Sequence, residues 1–335
     1  MTQAIDRGAA IEGIGVYRPR RLVTNAEVCQ YIDSSDEWIR TRSGIMTRGW
    51  AEPDETLDLM AVSAATDALS TAGLDPSAVG MILVANCSDG QPIQPLANRV
   101  AAGLGTEAPA LSVNATCAGF SYAVGVARDL IRGGTADHVL VVGADRMTDI
   151  VDRSDRETSF IFADGAGAFV IGASDREAVG PVAWGTDGHR GEVLVLRPDW
   201  NQYRQDNLLG PPAITMQGRR IFKWAAETMP AVAAAACKAA GLSLADIDVL
   251  VPHQANRRIT ESIVRALELP SSVVVANDIE HAGNTSSASI PLALHRLVAG
   301  GQARPGDTAL LLAFGGGLAF AAQVVKVPQV VLPIV

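Results

Sequence analysis

The chain repeats itself at about half its length, and the two copies differ where chemistry would be placed. Ala72-Gly73-Leu74 through Val84-Ala85 aligns with Ala240-Gly241-Leu242 through Pro252-His253 at an offset of 168, and Arg128 to Gly134 aligns with His295 to Gly301 at an offset of 167. On this register Ala85 stands opposite His253, and Cys117 stands opposite Asn284. A period this long marks two fused halves and not a solenoid. Unlike residues at equivalent points predict two half-sites that face each other, with residues 1–175 carrying Cys117 and residues 176–335 carrying His253 and Asn284.

With 335 residues, 48% of them hydrophobic, the chain can bury a core for each half. Met81-Ile82-Leu83-Val84, Val139 to Val142, Phe169-Val170-Ile171, Val249-Leu250-Val251 and Leu310 to Leu312 are apolar without alternation, as strands covered on both faces must be. Between them Leu57 to Ala72, Gly119 to Ile131, Ile221 to Ala240, Arg258 to Leu267 and Ile290 to Val298 read as helices rich in Ala, Gly and Ser. Helices with so little bulk pack closely, which predicts an α/β architecture with a central helix pair sandwiched by two sheets. Ala173 to Pro181 reads as the seam between the halves, and Asp187 to Pro212 as a long surface excursion.

Several function classes are excluded. Cys29, Cys87, Cys117 and Cys237 are far apart, with no spacing that suggests a disulfide framework or a metal site, so no metal is expected. The formal charge of −9 argues against general nucleic-acid binding. Met1 to Ala10 has no apolar signal core, and the Ala-rich stretch from Ala231 is interrupted by Lys238 before membrane length. The expectation is a cytoplasmic protein without membrane association.

Cys117 lies in Val113-Asn114-Ala115-Thr116-Cys117-Ala118-Gly119-Phe120, where a strand end meets a helix start. Amide N–H groups and the helix dipole there favour thiolate over thiol; a small buried cysteine is the alternative. His253, in Pro252-His253-Gln254-Ala255-Asn256, follows directly on a strand, where α/β proteins place site residues. Asn284, in Gly283-Asn284-Thr285-Ser286-Ser287, suits either a site or a helix cap.

Taken together, Asn-Ala-Thr-Cys-Ala-Gly-Phe, Pro-His-Gln-Ala-Asn, Gly-Asn-Thr-Ser-Ser-Ala-Ser-Ile-Pro and Phe-Gly-Gly-Gly resemble the cysteine, histidine, asparagine and glycine-loop motifs of β-ketoacyl-acyl-carrier-protein synthase III, in the thiolase-like superfamily. Ser35 to Ile45, Asp155-Arg156 and Phe162 to Gly167 extend the likeness almost end to end. The resemblance implies a thiolase-like five-layered αβαβα fold with duplicated halves, a homodimer, and decarboxylative Claisen condensation. An acyl primer is loaded from acyl-CoA and condensed with malonyl-acyl-carrier protein to open fatty-acid or polyketide synthesis. No cofactor is implied, coenzyme A and phosphopantetheine thioesters being substrates.

The resemblance assigns roles. Cys117 is the nucleophile, and the backbone amides of Cys117 and Gly316 hold the oxyanion, glycine allowing the close approach and unusual dihedrals needed there. His253 and Asn284 stabilise the enolate left by loss of CO2. Trp38 and Arg156 match positions that sandwich the adenine of coenzyme A, Arg42 contacts phosphate, and Phe222 and Asn256 complete the site. Glu157 departs from the glycine often found after the Asp-Arg pair. Lys223, Arg258 and Arg265, with Arg219, Arg220 and Arg257 nearby, correspond to the carrier-protein docking patch. Ile93 falls where some members carry a Phe that the partner subunit inserts into the acyl pocket. Asp164-Gly165-Ala166-Gly167 does not match either phosphate-loop spacing and reads as structural; His281 reads as packing near the site. An acyltransferase of specialised metabolism that uses Cys117 without decarboxylation is the alternative, against which His253 and Asn284 argue. A non-catalytic partner subunit would lack the nucleophile.

Overall fold

The computed structural model describes residues 7–91 and 93–330, apart from the side chain of Asn207. The apolar runs form strands covered on both faces. In the first of two five-stranded sheets, β1 (Gly8–Tyr17), β2 (Met81–Ala85), β3 (Ala110–Val113), β4 (His138–Arg146) and β5 (Asp164–Ser174) lie in the order β1-β5-β4-β2-β3. In the second, β6 (Val179–Thr186), β7 (Val249–Pro252), β8 (Val274–Val275), β9 (Thr308–Gly315) and β10 (Ala319–Lys326) lie in the order β6-β10-β9-β7-β8. The repeat holds pair by pair: Met81 faces Val139 as Val249 faces Ala309, and Gly143 faces Gly167 as Ala313 faces Ala321.

Helices complete five layers, αβαβα. α1 (Leu57–Ala72) and α2 (Leu96–Leu104) cover the outer face of the first sheet, and α4 (Gly218–Ala239) and α5 (Arg257–Leu267) that of the second. Between the sheets lie α3 (Gly119–Arg132) and α6 (Ser289–Ala299). α3 buries Phe120, Ala123, Val124, Ala127 and Ile131, a stripe at helical spacing, and Phe120 meets Phe169 of β5 edge-on with ring centroids 4.9 Å apart. Each large apolar side chain withdrawn this way contributes about 1.5–3 kcal/mol.

The structure corrects one part of the sequence register. Asn114-Ala115-Thr116-Cys117 and Asn284-Thr285-Ser286-Ser287 form the same turn, each entering a 3-10 turn that leads into a central helix. Asn114 Oδ1 accepts from Thr116 N at 3.1 Å, and Asn284 Oδ1 from Ser286 N at 2.9 Å. Thr116 and Ser286 both hold positive φ, 48° and 52°. The counterpart of Cys117 is therefore Ser287, and that of Asn284 is Asn114. The alignment at 167 matched the glycines beyond the helix ends, but α6 has 11 residues and α3 has 14, so the turns before them are offset by three more.

Other boundaries shift as well. β5 ends at Ser174 and β6 begins at Val179, so the seam narrows to residues 175–178. Pro181 is accommodated because β6 is an edge strand. The excursion from Asp187 is not structureless: Leu194–Arg197 pairs with Ala213–Met216, and Trp200–Gln205 forms a helix started by an Asp199/Gln202 capping box.

Candidate active site

The ends of β4 and β9 each receive the turn of the other half. Gly143 lies so close to Ser287 that a Cβ there would come within 2.5 Å of its carbonyl oxygen, while a Cβ on Gly315 would come within 2.9 Å of Cys117 N. Close packing at this crossing brings the two turns together, and with them Cys117 and Asn284.

Cys117 is buried, and its sulfur lies 3.4 Å from Ser286 Oγ. The sequence expectation of a thiolate favoured by the helix terminus is not met in the resting site. Burial pushes the Cys117 thiol up to about 12, outweighing the Ser286 hydroxyl and the backbone amide that pull it down. Thr116 Oγ1 donates to Gly316 O at 2.9 Å, which ties the glycine loop to the turn. The glycine required by close approach is Gly315, because a Cβ on Gly316 would meet nothing nearer than 3.3 Å, and the positive φ in the loop belongs to Gly317. The steric reason given for Gly316 thus passes to its neighbours.

His253 follows β7 and is buried, its backbone N–H donating to Leu312 O at 2.8 Å. Its Nδ1 lies 2.7 Å from Ser289 Oγ, which also accepts from Gln254 N at 3.4 Å. No other acceptor for the Ser289 hydroxyl occurs among the described residues, so that hydrogen goes to Nδ1 and the imidazole carries its own hydrogen on Nε2. Desolvation lowers the His253 pKa to about 3, which keeps the ring neutral. The Phe314 ring stands edge-on to it, centroids 5.3 Å apart.

Asn284 is clamped through its backbone, its N–H donating to Ile161 O and its carbonyl accepting from Ala163 N, both at 2.9 Å. Gly283, with φ 70°, enters between Arg48 and Ala163 in a space with no room for a Cβ. Since Oδ1 accepts from Ser286 N, the Asn284 amide presents its NH2 as the uncommitted end. Asn284 and His253 are thus two neutral N–H donors. Asp164 is buried and accepts from Ala51 N, Thr148 N and Thr148 Oγ1, a structural anchor whose pKa burial raises to about 6.

Trp38, Arg42 and Arg156 are brought together. The Arg156 guanidinium lies 4.4 Å from the Trp38 ring centroid and that of Arg42 lies 5.7 Å away. A purine stacked between Trp38 and Arg156 requires the guanidinium to swing out, releasing its 2.7 Å hydrogen bond to Asp33 O. Asn256 caps α5 and donates to Arg42 O at 3.0 Å, and Phe222 is half-buried on α4. Glu157 is exposed in a turn closed by Asp155. On the adjacent helices α4 and α5, Arg220 pairs with Glu192, Lys223 with Glu227, and Arg257 with Glu261 and Glu280. Arg219, Arg258 and Arg265 are exposed without an ion pair among the described residues. Ile93 is 95% exposed in the single chain. His281 lines a separate cavity of about 430 Å³ with Arg18, Leu22, Thr285 and His295, behind the Asn284 turn.

Sequence reasoning missed Ser286, Ser289, Phe314, Asp145 and Cys87. Asp145 is fully buried and accepts from Cys87 N, Ser88 N, Ser88 Oγ, Ser287 N and Ser287 Oγ. Both serines lie inside the motif around Asn284, where their alternation with small residues was the available signal.

Comparison with known proteins matches residues 111–188 to 3-oxoacyl-[acyl-carrier-protein (ACP)] synthase III and residues 237–327 to the C-terminal part of the same family. The chain is 46% identical over 321 residues to the beta-ketoacyl-[acyl-carrier-protein] synthase III of Streptomyces glaucescens, with 96% of each covered. It is 47% identical over 317 residues to the mycobacterial beta-ketoacyl-[acyl-carrier-protein] synthase III of Mycobacterium avium, with 94% of each covered. The solved priming β-ketosynthase of the R1128 polyketide biosynthetic pathway superposes with a TM-score of 0.95 at 44% identity over 98% of both chains. The synthase III of Aquifex aeolicus gives 0.88 at 36% identity, covering 95% of this chain and 100% of that one.

Proposed function

The chain belongs to the 3-oxoacyl-[acyl-carrier-protein] synthase III family, and from that premise we propose how its residues divide the reaction. It is an acyltransferase that carries out the initiating condensation of fatty-acid or polyketide synthesis. Cys117 attacks the primer thioester of acyl-CoA, and the amides of Cys117 and Gly316 bind the tetrahedral oxyanion. Coenzyme A leaves as the thiol, and Cys117 holds the acyl group. Malonyl-acyl-carrier protein then loses CO2, and the enolate oxygen is held by His253 Nε2–H and the Asn284 NH2. The enolate carbon attacks the acyl-enzyme, Cys117 departs, and 3-oxoacyl-carrier protein is released.

The observation that carries this division is the pair of hydrogen bonds that orients His253 and Asn284. Ser289 Oγ engages His253 at Nδ1 and leaves Nε2 as the ring nitrogen for substrate, its hydrogen there when the serine hydroxyl donates, and Ser286 N–H holds Asn284 with its NH2 free. Neutral donors stabilise a developing enolate without neutralising the malonyl carboxylate that must leave. An acyltransferase without decarboxylation has no use for either. Coenzyme A is read at Trp38, Arg42 and Arg156 with Phe222 and Asn256, the carrier protein at Lys223, Arg258 and Arg265, and the acyl end at Ile93 supplied by a second copy in a homodimer. Ile93 is smaller than Phe, which favours apolar primers longer or more branched than acetyl. The halves are residues 1–175 and 176–335, the reaction needs neither metal nor cofactor, and the enzyme works in the cytoplasm; among the described residues no helix is long and apolar enough to cross a membrane.

One experiment tests the reading: intact-mass analysis after exposure to acyl-CoA and acyl-carrier thioesters, followed by CO2 release from malonyl-carrier protein. A stable adduct on Cys117 and CO2 release dependent on His253 and Asn284 are expected. Adduct formation with no CO2 release would give the non-decarboxylating acyltransferase instead.

A further inference from the structure

Cys117 must act as a thiolate in a site that opposes one. Its sulfur is buried, the ring of His253 is neutral with Nδ1 engaged by Ser289, and the buried carboxylate nearby, Asp145, raises the thiol pKa further. Among the described residues the side-chain hydrogen bond to this sulfur comes from Ser286, whose Oγ donates to Cys117 Sγ at 3.4 Å. Ser286 is itself fully buried and holds φ 52°, a left-handed conformation that is strained for a non-glycine residue and tends to persist at functional sites. Its N–H is pinned to Asn284 Oδ1, so the turn that presents the asparagine amide also aims the serine hydroxyl.

A second sulfur meets the same oxygen. Cys87 Sγ lies 3.4 Å from Ser286 Oγ, so one hydroxyl sits between two thiols. Ser286 has a single hydrogen to give, and it points at Cys117. The Cys87 thiol is therefore the donor to Ser286 Oγ, in a chain that runs Cys87 S–H, Ser286 O–H, Cys117 Sγ. Cys87 is kept protonated by burial and by Asp145, which raise its pKa well above the ordinary thiol value.

We propose that Ser286 is a further catalytic residue, whose hydroxyl holds the Cys117 sulfur as thiolate during acyl transfer from coenzyme A, and that Cys87 is a positioning residue that keeps that hydroxyl on Cys117. The Ser286 hydrogen stays on oxygen throughout. The bond from Cys117 Sγ to the acyl carbon forms, the acyl carbon–sulfur bond to coenzyme A breaks, and the proton lost by Cys117 ends on the coenzyme A thiol. The proposal rests on Cys117 being the acylated residue.

The test compares Ser286→Gly, Ser286→Ala, Ser286→Thr and Cys87→Ala. Glycine removes the hydroxyl while relieving the backbone, alanine removes it without relief, and threonine keeps a hydroxyl at a φ that Thr116 already adopts in the other half. The readouts are Cys117 alkylation by iodoacetamide across roughly pH 7 to 10, located by peptide mass, and the rate of acyl-adduct formation from acyl-CoA. Glycine and alanine variants are expected to show both rates lowered about tenfold, with the alkylation profile displaced upward by about one pH unit. Threonine is expected to stay near wild type, and Cys87→Ala to lose about threefold, as a partner one bond removed. Wild-type rates and an unshifted profile in Ser286→Gly would overturn the proposal, as would Ser286→Thr being as slow as Ser286→Gly. If the unmodified protein takes up no acyl group on Cys117, the nucleophile assignment itself fails; if it acylates normally and Ser286→Gly does too, only the role of Ser286 falls.

Discussion

The two turns that meet at the centre of the molecule have the same backbone and opposite chemistry. In the first half Asn114 is exposed and Cys117 carries its thiol at the head of α3. In the second, Asn284 is buried and Ser287, at the position of Cys117, is bound at both N–H and Oγ by Asp145 Oδ2, at 3.0 and 2.7 Å. Asp145 near the end of β4 and Gly315 at the end of β9 occupy equivalent places. Each faces the other half's turn: the carboxylate clamps Ser287, and the glycine lets the Cys117 turn come within a distance that no side chain would allow. One scaffold thus yields a reactive group where its partner residue is small, and a locked turn with a free asparagine amide where its partner is charged.

The largest expected effect breaks this asymmetry at the nucleophile. Cys117→Ala should lose the acyl adduct completely, and adding Ser287→Cys should not restore it, because a thiol there would lie against Asp145, whose carboxylate disfavours the thiolate. Intact mass after incubation with acyl-CoA decides it; an adduct on residue 287 would mean that the clamp does not silence the position.

The second contrast concerns the paired asparagines. Asn284→Ala and His253→Ala should each lower CO2 release about a hundredfold, as expected when one enolate donor is removed, while acylation of Cys117 largely survives in His253→Ala and falls at most about tenfold in Asn284→Ala, which also frees the Ser286 N–H. Asn114→Ala, which breaks the matching turn in the first half, should leave CO2 release by an already acylated enzyme nearly unchanged. Equal losses in Asn114→Ala and Asn284→Ala would show that both act only by shaping the turn.

Acid sensitivity should also divide between the halves, since His253 stands where the first half has Ala85. A histidine with its folded pKa lowered to about 3 binds no proton at pH values where the unfolded chain, near 6.5, does. Stability then rises with pH below 6.5, and its loss on acidification grows by about 1.4 kcal/mol per pH unit. Asp164, raised to about 6, works in the opposite sense between its ordinary value and 6, so the whole protein's slope mixes the two. The difference between wild type and His253→Gln isolates the histidine: denaturant unfolding should show the variant gaining about 2 kcal/mol relative to wild type on going from pH 6.5 to pH 5. A constant difference across that range would mean that the ring takes up its proton in the fold as readily as in the unfolded chain.

The duplication and the sandwich of small-residue helices were readable because apolar runs and Ala-rich stretches survive in both halves. Strands β1, β6, β8 and β10 and helix α2 were not, and of β3 only its end at Val113 was: Gly or Pro interrupts β1, β6 and α2, β8 is two residues long, and the pairing is set by neighbours distant in sequence. Cys117, His253 and Asn284 stood out by residue type and motif. Ser286 and Cys87 did not: a serine among serines and a lone cysteine gain meaning only when the crossing of the halves sets the serine hydroxyl between two thiols. The thiolate expectation failed for a related reason, because burial is a tertiary quantity and it overrode the local helix terminus.

The smallest expected effect contrasts the two outer helices that occupy equivalent layers. α2 carries Arg99, which is 13% exposed and held by Asp58 and Asp89 at 2.7 and 3.0 Å, a cation spent on the fold. α5 carries Arg258 and Arg265, exposed and without an ion pair among the described residues, on a chain of net charge −9. A cation left unpaired on an acidic protein attracts an acidic partner through solvent, so its contribution is screened by salt and appears in encounter more than in chemistry. Arg258→Glu should raise the KM for malonyl-carrier protein about fivefold at low ionic strength, converge on wild type as salt rises toward roughly 0.5 M, and leave reaction with a small malonyl thioester unchanged. Arg99→Glu should do the reverse, lowering the denaturation midpoint through two repelled carboxylates with no salt-dependent change in KM. A salt-independent defect of Arg258→Glu on both substrates would place Arg258, like Arg99, among the residues that hold the fold.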